Sequence, residues 1–97
     1  MKAGKWYPLA ERLSRWARIR LLGVVLNGRM QKDIAKVCGV TPQAVFNWIK
    51  KKGYHPNDKN ATTLLRLACY IDKKQVQGIL QADAERYMSE LKRAGIG

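Results

Sequence analysis

The sequence predicts an all-α fold of about five helices, built around a helix-turn-helix and closed by an extra C-terminal helix. Three observations carry this. Apolar residues recur at three- and four-residue steps over most of the 97 residues. Period-two alternation, the mark of a half-buried strand, occurs nowhere. Glycine, proline and capping residues divide the chain at intervals suited to short helices.

The N-terminal segment, residues 1–8, reads as a basic and aromatic arm with Lys2, Lys5, Trp6 and Tyr7. Pro8 suits the first turn of a helix whose stripe is Leu9, Leu13, Trp16, Ile19, Leu22 and Leu26. Arg12, Arg15, Arg18 and Arg20 fall mostly outside that stripe. Asn27-Gly28 ends it, with glycine taking the left-handed capping conformation. Gln31 to Cys38 is a short helix with Ile34, Ala35, Val37 and Cys38 as its apolar side, broken by Gly39-Val40.

Thr41 as N-cap and Pro42 at the first helical position open the next helix. It runs through Ala44, Val45, Trp48 and Ile49 into Lys50-Lys51-Lys52, and Gly53 stops it. Tyr54 to Asn60 is a loop, and Asn60 or Thr62 caps a helix that turns Leu64, Leu65, Leu67, Ala68 and Ile71 inward. Asp72 to Lys74 marks a bend or a new cap. Beyond it Val76, Ile79, Leu80, Ala84, Tyr87, Met88 and Leu91 form the stripe of the last helix, which ends at Gly95.

Charge narrows the function classes. Nineteen Lys and Arg against seven Asp and Glu give a net charge of +12 and a pI near 10.2. A globular chain this basic repels itself unless it meets a polyanion, nucleic acid first and an anionic membrane surface second. The longest apolar run, Leu21 to Leu26, contains Gly23 and falls far short of the roughly 20 residues of a spanning helix. No apolar stretch follows Lys2 and Lys5 as a signal peptide requires.

Cys38 and Cys69 lack metal-ligand spacing and read as small buried residues of a reducing cytoplasm. His55, the only histidine, has no second ligand or catalytic partner near it in sequence. The acids are scattered, and no glycine-rich phosphate loop occurs. Neither an enzyme nor a cofactor is expected. Trp16 and Trp48 sit on apolar stripes and read as core.

The informative segment is Gln31 to Lys50. Two short helices joined by a tight turn cross steeply, so a small residue is needed where they approach, and Ala35 supplies it. Four residues on, Gly39 takes the positive φ of the turn without penalty. Val45 and Trp48 then point back onto the first helix, and Ile34 and Val40 fill the remaining gap.

The run Gln31…Ile34-Ala35…Gly39-Val40-Thr41-Pro42-Gln43-Ala44-Val45…Asn47-Trp48 resembles the helix-turn-helix of the Cro/cI-type (lambda-repressor-like) family of phage and bacterial regulators. The resemblance extends over Trp16 to Leu80. It departs in the slightly longer loop Gly53 to Asn60 and in the charged last helix, which lies beyond the shared core. It implies a second helix lying in the major groove of double-stranded DNA, with Thr41, Gln43, Ala44, Phe46 and Asn47 toward the bases. Gln43 and Asn47, four apart on one face, each carry an amide that can bridge adenine N6 and N7. Phe46 packs on a thymine methyl or on the loop that follows. Gln31 meets a phosphate at the start of the first motif helix, and Lys32, Lys50, Lys51 and Lys52 clamp the backbone without reading sequence.

The expected organisation is therefore an arm (1–8), a DNA-binding domain (9–72) and a C-terminal helix (73–97). In that last helix Tyr87, Met88 and Leu91 are candidate homodimer contacts; the alternative is a helix folded back on the first one. The expected function is a sequence-specific transcriptional regulator, a repressor of phage, plasmid or mobile-element type, of prokaryotic or viral origin, cytoplasmic and associated with the nucleoid. Two alternatives compete: an architectural DNA-binding protein of low specificity, and an antitoxin-like module whose last helix binds a partner protein. RNA binding is disfavoured because exposed aromatic platforms are not evident.

Overall fold

In the computed structural model, which describes residues 5–96, five helices follow one another: α1 (Trp6–Glu11), α2 (Arg15–Leu26), α3 (Gln31–Cys38), α4 (Pro42–Lys50) and α5 (Asp58–Arg93). No strand occurs among the described residues. The all-α expectation holds, and the boundaries move in four places.

The first helix is two helices. Ser14 is extended (ψ 166°) and its hydroxyl oxygen accepts a hydrogen bond from the Ala17 N–H at 3.1 Å, so α2 begins afresh at Arg15. Pro8 lies in the first turn of α1, but Trp6 and Tyr7, expected in the arm, are helical and half-buried. The rest of the expected arm, Met1 to Gly4, lies outside the described residues. The break also rotates the stripe: Trp6, Ala10 and Leu13 face the core, whereas Leu9 is exposed.

Ending α1 early leaves carbonyls without helical partners, and a residue expected on the polar face meets them. Arg18 is only 5% exposed. Its guanidinium donates to the carbonyls of Ala10 (3.1 Å), Glu11 (3.4 Å), Leu13 (3.0 Å) and Pro56 (2.9 Å), and to Asp58 Oδ1 (2.8 Å). Arginine suits this because its donors form a rigid fork spanning several acceptors.

The helix after the loop starts earlier than expected. Asn57, not Asn60 or Thr62, caps α5, its side-chain oxygen accepting from the Asn60 N–H at 2.8 Å. Asn60 is buried and the Thr62 hydroxyl donates back to the Asp58 carbonyl at 2.7 Å. The expected bend falls at Asp72, whose backbone is non-helical (φ −153°, ψ 81°) and whose carboxylate accepts from the Gln75 N–H at 3.1 Å. The chain is therefore helical on both sides of Asp72, which bends it and caps the second stretch, as the sequence predicts.

Packing explains the kink. Before it, Leu64, Leu65 and Ala68 meet Leu21, Leu22, Val24 and Val25 of α2; after it, Val76 and Ile79 enter the same core. The distal half of α5 is tied back to the α1–α2 corner. Asp83 accepts from both the N–H (3.1 Å) and the hydroxyl of Ser14, and the Arg86 guanidinium lies 4.8 Å from the centre of the Trp16 ring. No helix among the described residues is long and apolar enough to cross a membrane.

Candidate nucleic-acid interface

The turn between α3 and α4 sets the geometry of the site. Gly39 is left-handed (φ 70°, ψ 33°). The Val40 N–H donates to the Ala35 carbonyl at 2.9 Å and the Gly39 N–H to the Lys36 carbonyl at 3.3 Å, the paired bonds of a Schellman motif. Ile34, Ala35, Val45 and Trp48 are buried, and Val40 and Ile49 pack half-buried on the core, as the spacing predicts. Val37 departs from expectation at 56% exposed. Ile34, Cys38 and Ala35 span the buried arc of α3, and Val37 lies about 60° beyond its edge at 100° per residue.

No atom lies within 4 Å of where a Gly39 Cβ would be, so a side chain there costs backbone strain alone. Gly39→Ala is expected to destabilise the protein by about 1–2 kcal/mol. Gly39→Asn should recover part of that loss, because asparagine tolerates the left-handed region. The urea midpoint of both variants checks it; an unchanged midpoint for alanine would remove the turn from the argument.

The start of α4 is as the sequence predicts. Thr41 is extended (ψ 155°), its hydroxyl oxygen accepts from the Ala44 N–H at 3.1 Å, and Pro42 occupies the first turn. The end is not. The helix stops at Lys50 instead of continuing through Lys52, because Lys51 turns extended (ψ 124°) and its carbonyl accepts from the Tyr54 N–H at 3.2 Å across Gly53 (φ 90°). Lys50, Lys51 and Lys52 are all exposed.

Of the residues expected to face bases, Thr41, Gln43 and Phe46 are exposed, while Ala44 and Asn47 are half-buried. The Phe46 ring is 39% exposed, so the following loop does not cover it fully. Gln43 Nε2 donates to Asn47 Oδ1 at 3.0 Å. The two amides are thus joined into one unit. Gln43 still offers Oε1 and its second N–H, the complement of adenine N6 and N7. Holding the glutamine in place beforehand also lowers the entropy lost on binding.

Gln31 is half-buried at the first position of α3, which opens without a side-chain cap, and Lys32 beside it is exposed. Tyr54 joins this surface, with the Lys51 ammonium 5.8 Å from its ring centre. An aromatic two residues after the lysine run was the signal for it. His55 does no more than lie with Nδ1 3.0 Å from the Pro56 carbonyl. Burial raises the thiol pKa of Cys38; Cys69, expected buried, is half-buried and raised by the same cause, against the pull of Lys73 and Lys5.

The candidate dimer residues sit on the far end of α5. Tyr87 and Met88 are more than half exposed and Leu91 is half-buried. Beside them a groove of about 660 Å³ runs between α1 and α5, with Leu9, Leu13, Leu80, Ala84 and Tyr87 along it. The inner side of this helix therefore folds back on α1, and its outer side faces solvent.

No protein-family model, no curated protein and no solved structure matches the chain.

Proposed function

We propose that the protein is a sequence-specific double-stranded DNA-binding regulator, of repressor type, that lays α4 in the major groove. The observation that carries this reading is the joined amide pair Gln43–Asn47 on the exposed side of a short helix, flanked by three exposed lysines. Paired amides are suited to bridging an adenine edge, and a wedge that only bound phosphate would not need them. "Repressor" follows from the resemblance of Gln31 to Lys50 to lambda-repressor-like proteins.

The reading includes a homodimer formed through the distal half of α5. The first 74 residues hold 16 Lys and Arg against four Asp and Glu, and so account for the whole net charge of +12; the last 23 hold three of each. Two copies therefore meet with least repulsion at that end, where Tyr87, Met88 and the apolar groove lie.

Selection of bound duplexes from a random library, at about 150 mM salt so that phosphate contacts alone do not suffice, tests this. The expected result is a palindromic motif with half-sites about 34 Å apart, one turn of duplex. A single ungapped half-site would keep base reading and discard the dimer. No enrichment, with binding that collapses steeply as salt rises, would replace this reading with the architectural one, which the net charge favours.

A further inference from the structure

A second cationic surface lies outside the helix-turn-helix contacts described above. Thr63, Arg66 and Tyr70 recur at three- and four-residue steps along one face of α5, and Lys73, just past the kink at Asp72, lines the same groove. Lys5 and Trp6 of the α1 end and Val37 of α3 face it across a groove of about 800 Å³. Among the described residues three cations and no acid line this groove. Tyr70 is 91% exposed, the highest value of any large hydrophobic or aromatic residue among those described, and Trp6 carries the Lys5 ammonium 5.1 Å from its ring centre.

A cationic row beside a bare aromatic ring matches the two needs of an unpaired strand: charge for its phosphates and a flat surface for its bases. A duplex keeps its bases stacked inside and has no use for the ring. An acidic peptide would use the cations and leave the ring idle. The exposed aromatic platform whose absence from the sequence reading spoke against RNA binding is therefore present in the fold.

We propose that this groove is a second nucleic-acid site, which holds a single strand by phosphate contacts to Arg66 and Lys73 and by stacking of a base on Tyr70. It stands independently of duplex reading by α4.

Fluorescence anisotropy of the full chain with labelled oligo-dT and oligo-U of about 12 nucleotides, within the site sizes usual for such grooves, tests it. Tyr70→Ala should weaken strand binding roughly tenfold, and Tyr70→Phe should restore it. Arg66→Ala with Lys73→Ala should lower the slope of log affinity against log salt by about 1.4. Gln43→Ala should leave strand binding unchanged. Bound strand should also slow alkylation of Cys69, which lines the groove. Binding of either strand, with or without a preference between them, supports the site. Binding by Tyr70→Ala equal to the parent protein would overturn the proposal. So would displacement of the strand by polyglutamate as readily as by unlabelled strand, which would make this a site for acidic peptides.

Discussion

Replacing Arg18 by alanine is expected to lower the stability of the protein by about 3–5 kcal/mol, because several carbonyls lose a donor together and each buried group left unpaired costs about 1–3 kcal/mol. Against a total of about 5–15 kcal/mol for a domain, that is the largest single loss foreseen for this chain. The cost arises mainly from carbonyls. Ala10, Glu11, Leu13 and Pro56 all lose a donor at once, in a region where water replaces it poorly. The ion pair contributes the smaller share, since the Asp58 side chain is 44% exposed. Arg18→Lys keeps the charge without the fork, so it should recover less than half of the loss. Urea denaturation of the three proteins decides this, and a loss below about 1 kcal/mol in Arg18→Ala would mean that α1 is satisfied without the arginine. The same variant should loosen the segment after α4, because Arg18 holds Pro56 at 2.9 Å.

Removing the amide pair should act on recognition and leave stability nearly untouched. Once a binding sequence is selected, Gln43→Ala and Asn47→Ala are each expected to weaken specific binding by about 1–3 kcal/mol and to relax one base position. Affinity for unrelated duplex should stay the same. Because Gln43 donates to Asn47 at 3.0 Å, the double variant should lose less than the sum of the single losses. Strict additivity would mean that the amides read independently and that their bond is broken on DNA. Lys50→Ala or Lys51→Ala should instead reduce the salt slope by about 0.9 each and weaken all sequences alike. If Gln43→Ala behaved like a lysine variant, base reading by α4 would have to be abandoned.

The helix-turn-helix was legible because each of its constraints is local. Gly39 turns the chain, Thr41 and Pro42 start α4, and Ala35, Val45 and Trp48 meet at a spacing the helical period dictates. Asp72 belongs to the same class, its side chain capping a residue three positions on. The break at Ser14 was local as well, yet Leu13 and Trp16 continue a plausible stripe across it, and the period concealed the cap.

Other features were written only by contacts between distant parts of the chain. Whether Arg18 faces water or the core depends on carbonyls of α1 and on Pro56 and Asp58, about 40 residues away. The return of the last helix onto the first rests on Val76 and Ile79 entering the same core as Ala10 and Leu13 and on Asp83 reaching Ser14 across 69 residues. The groove at Tyr70 exists because α1, α3 and α5 bring Lys5, Val37 and Lys73 to one place. By itself the sequence determined the all-helical class, the turn and the amides four residues apart, since short-range hydrogen bonding and the helical period set them. Which polar groups are buried, and which aromatic stands bare beside cations, only the tertiary structure decided, because burial is a property of the neighbours that long-range packing supplies.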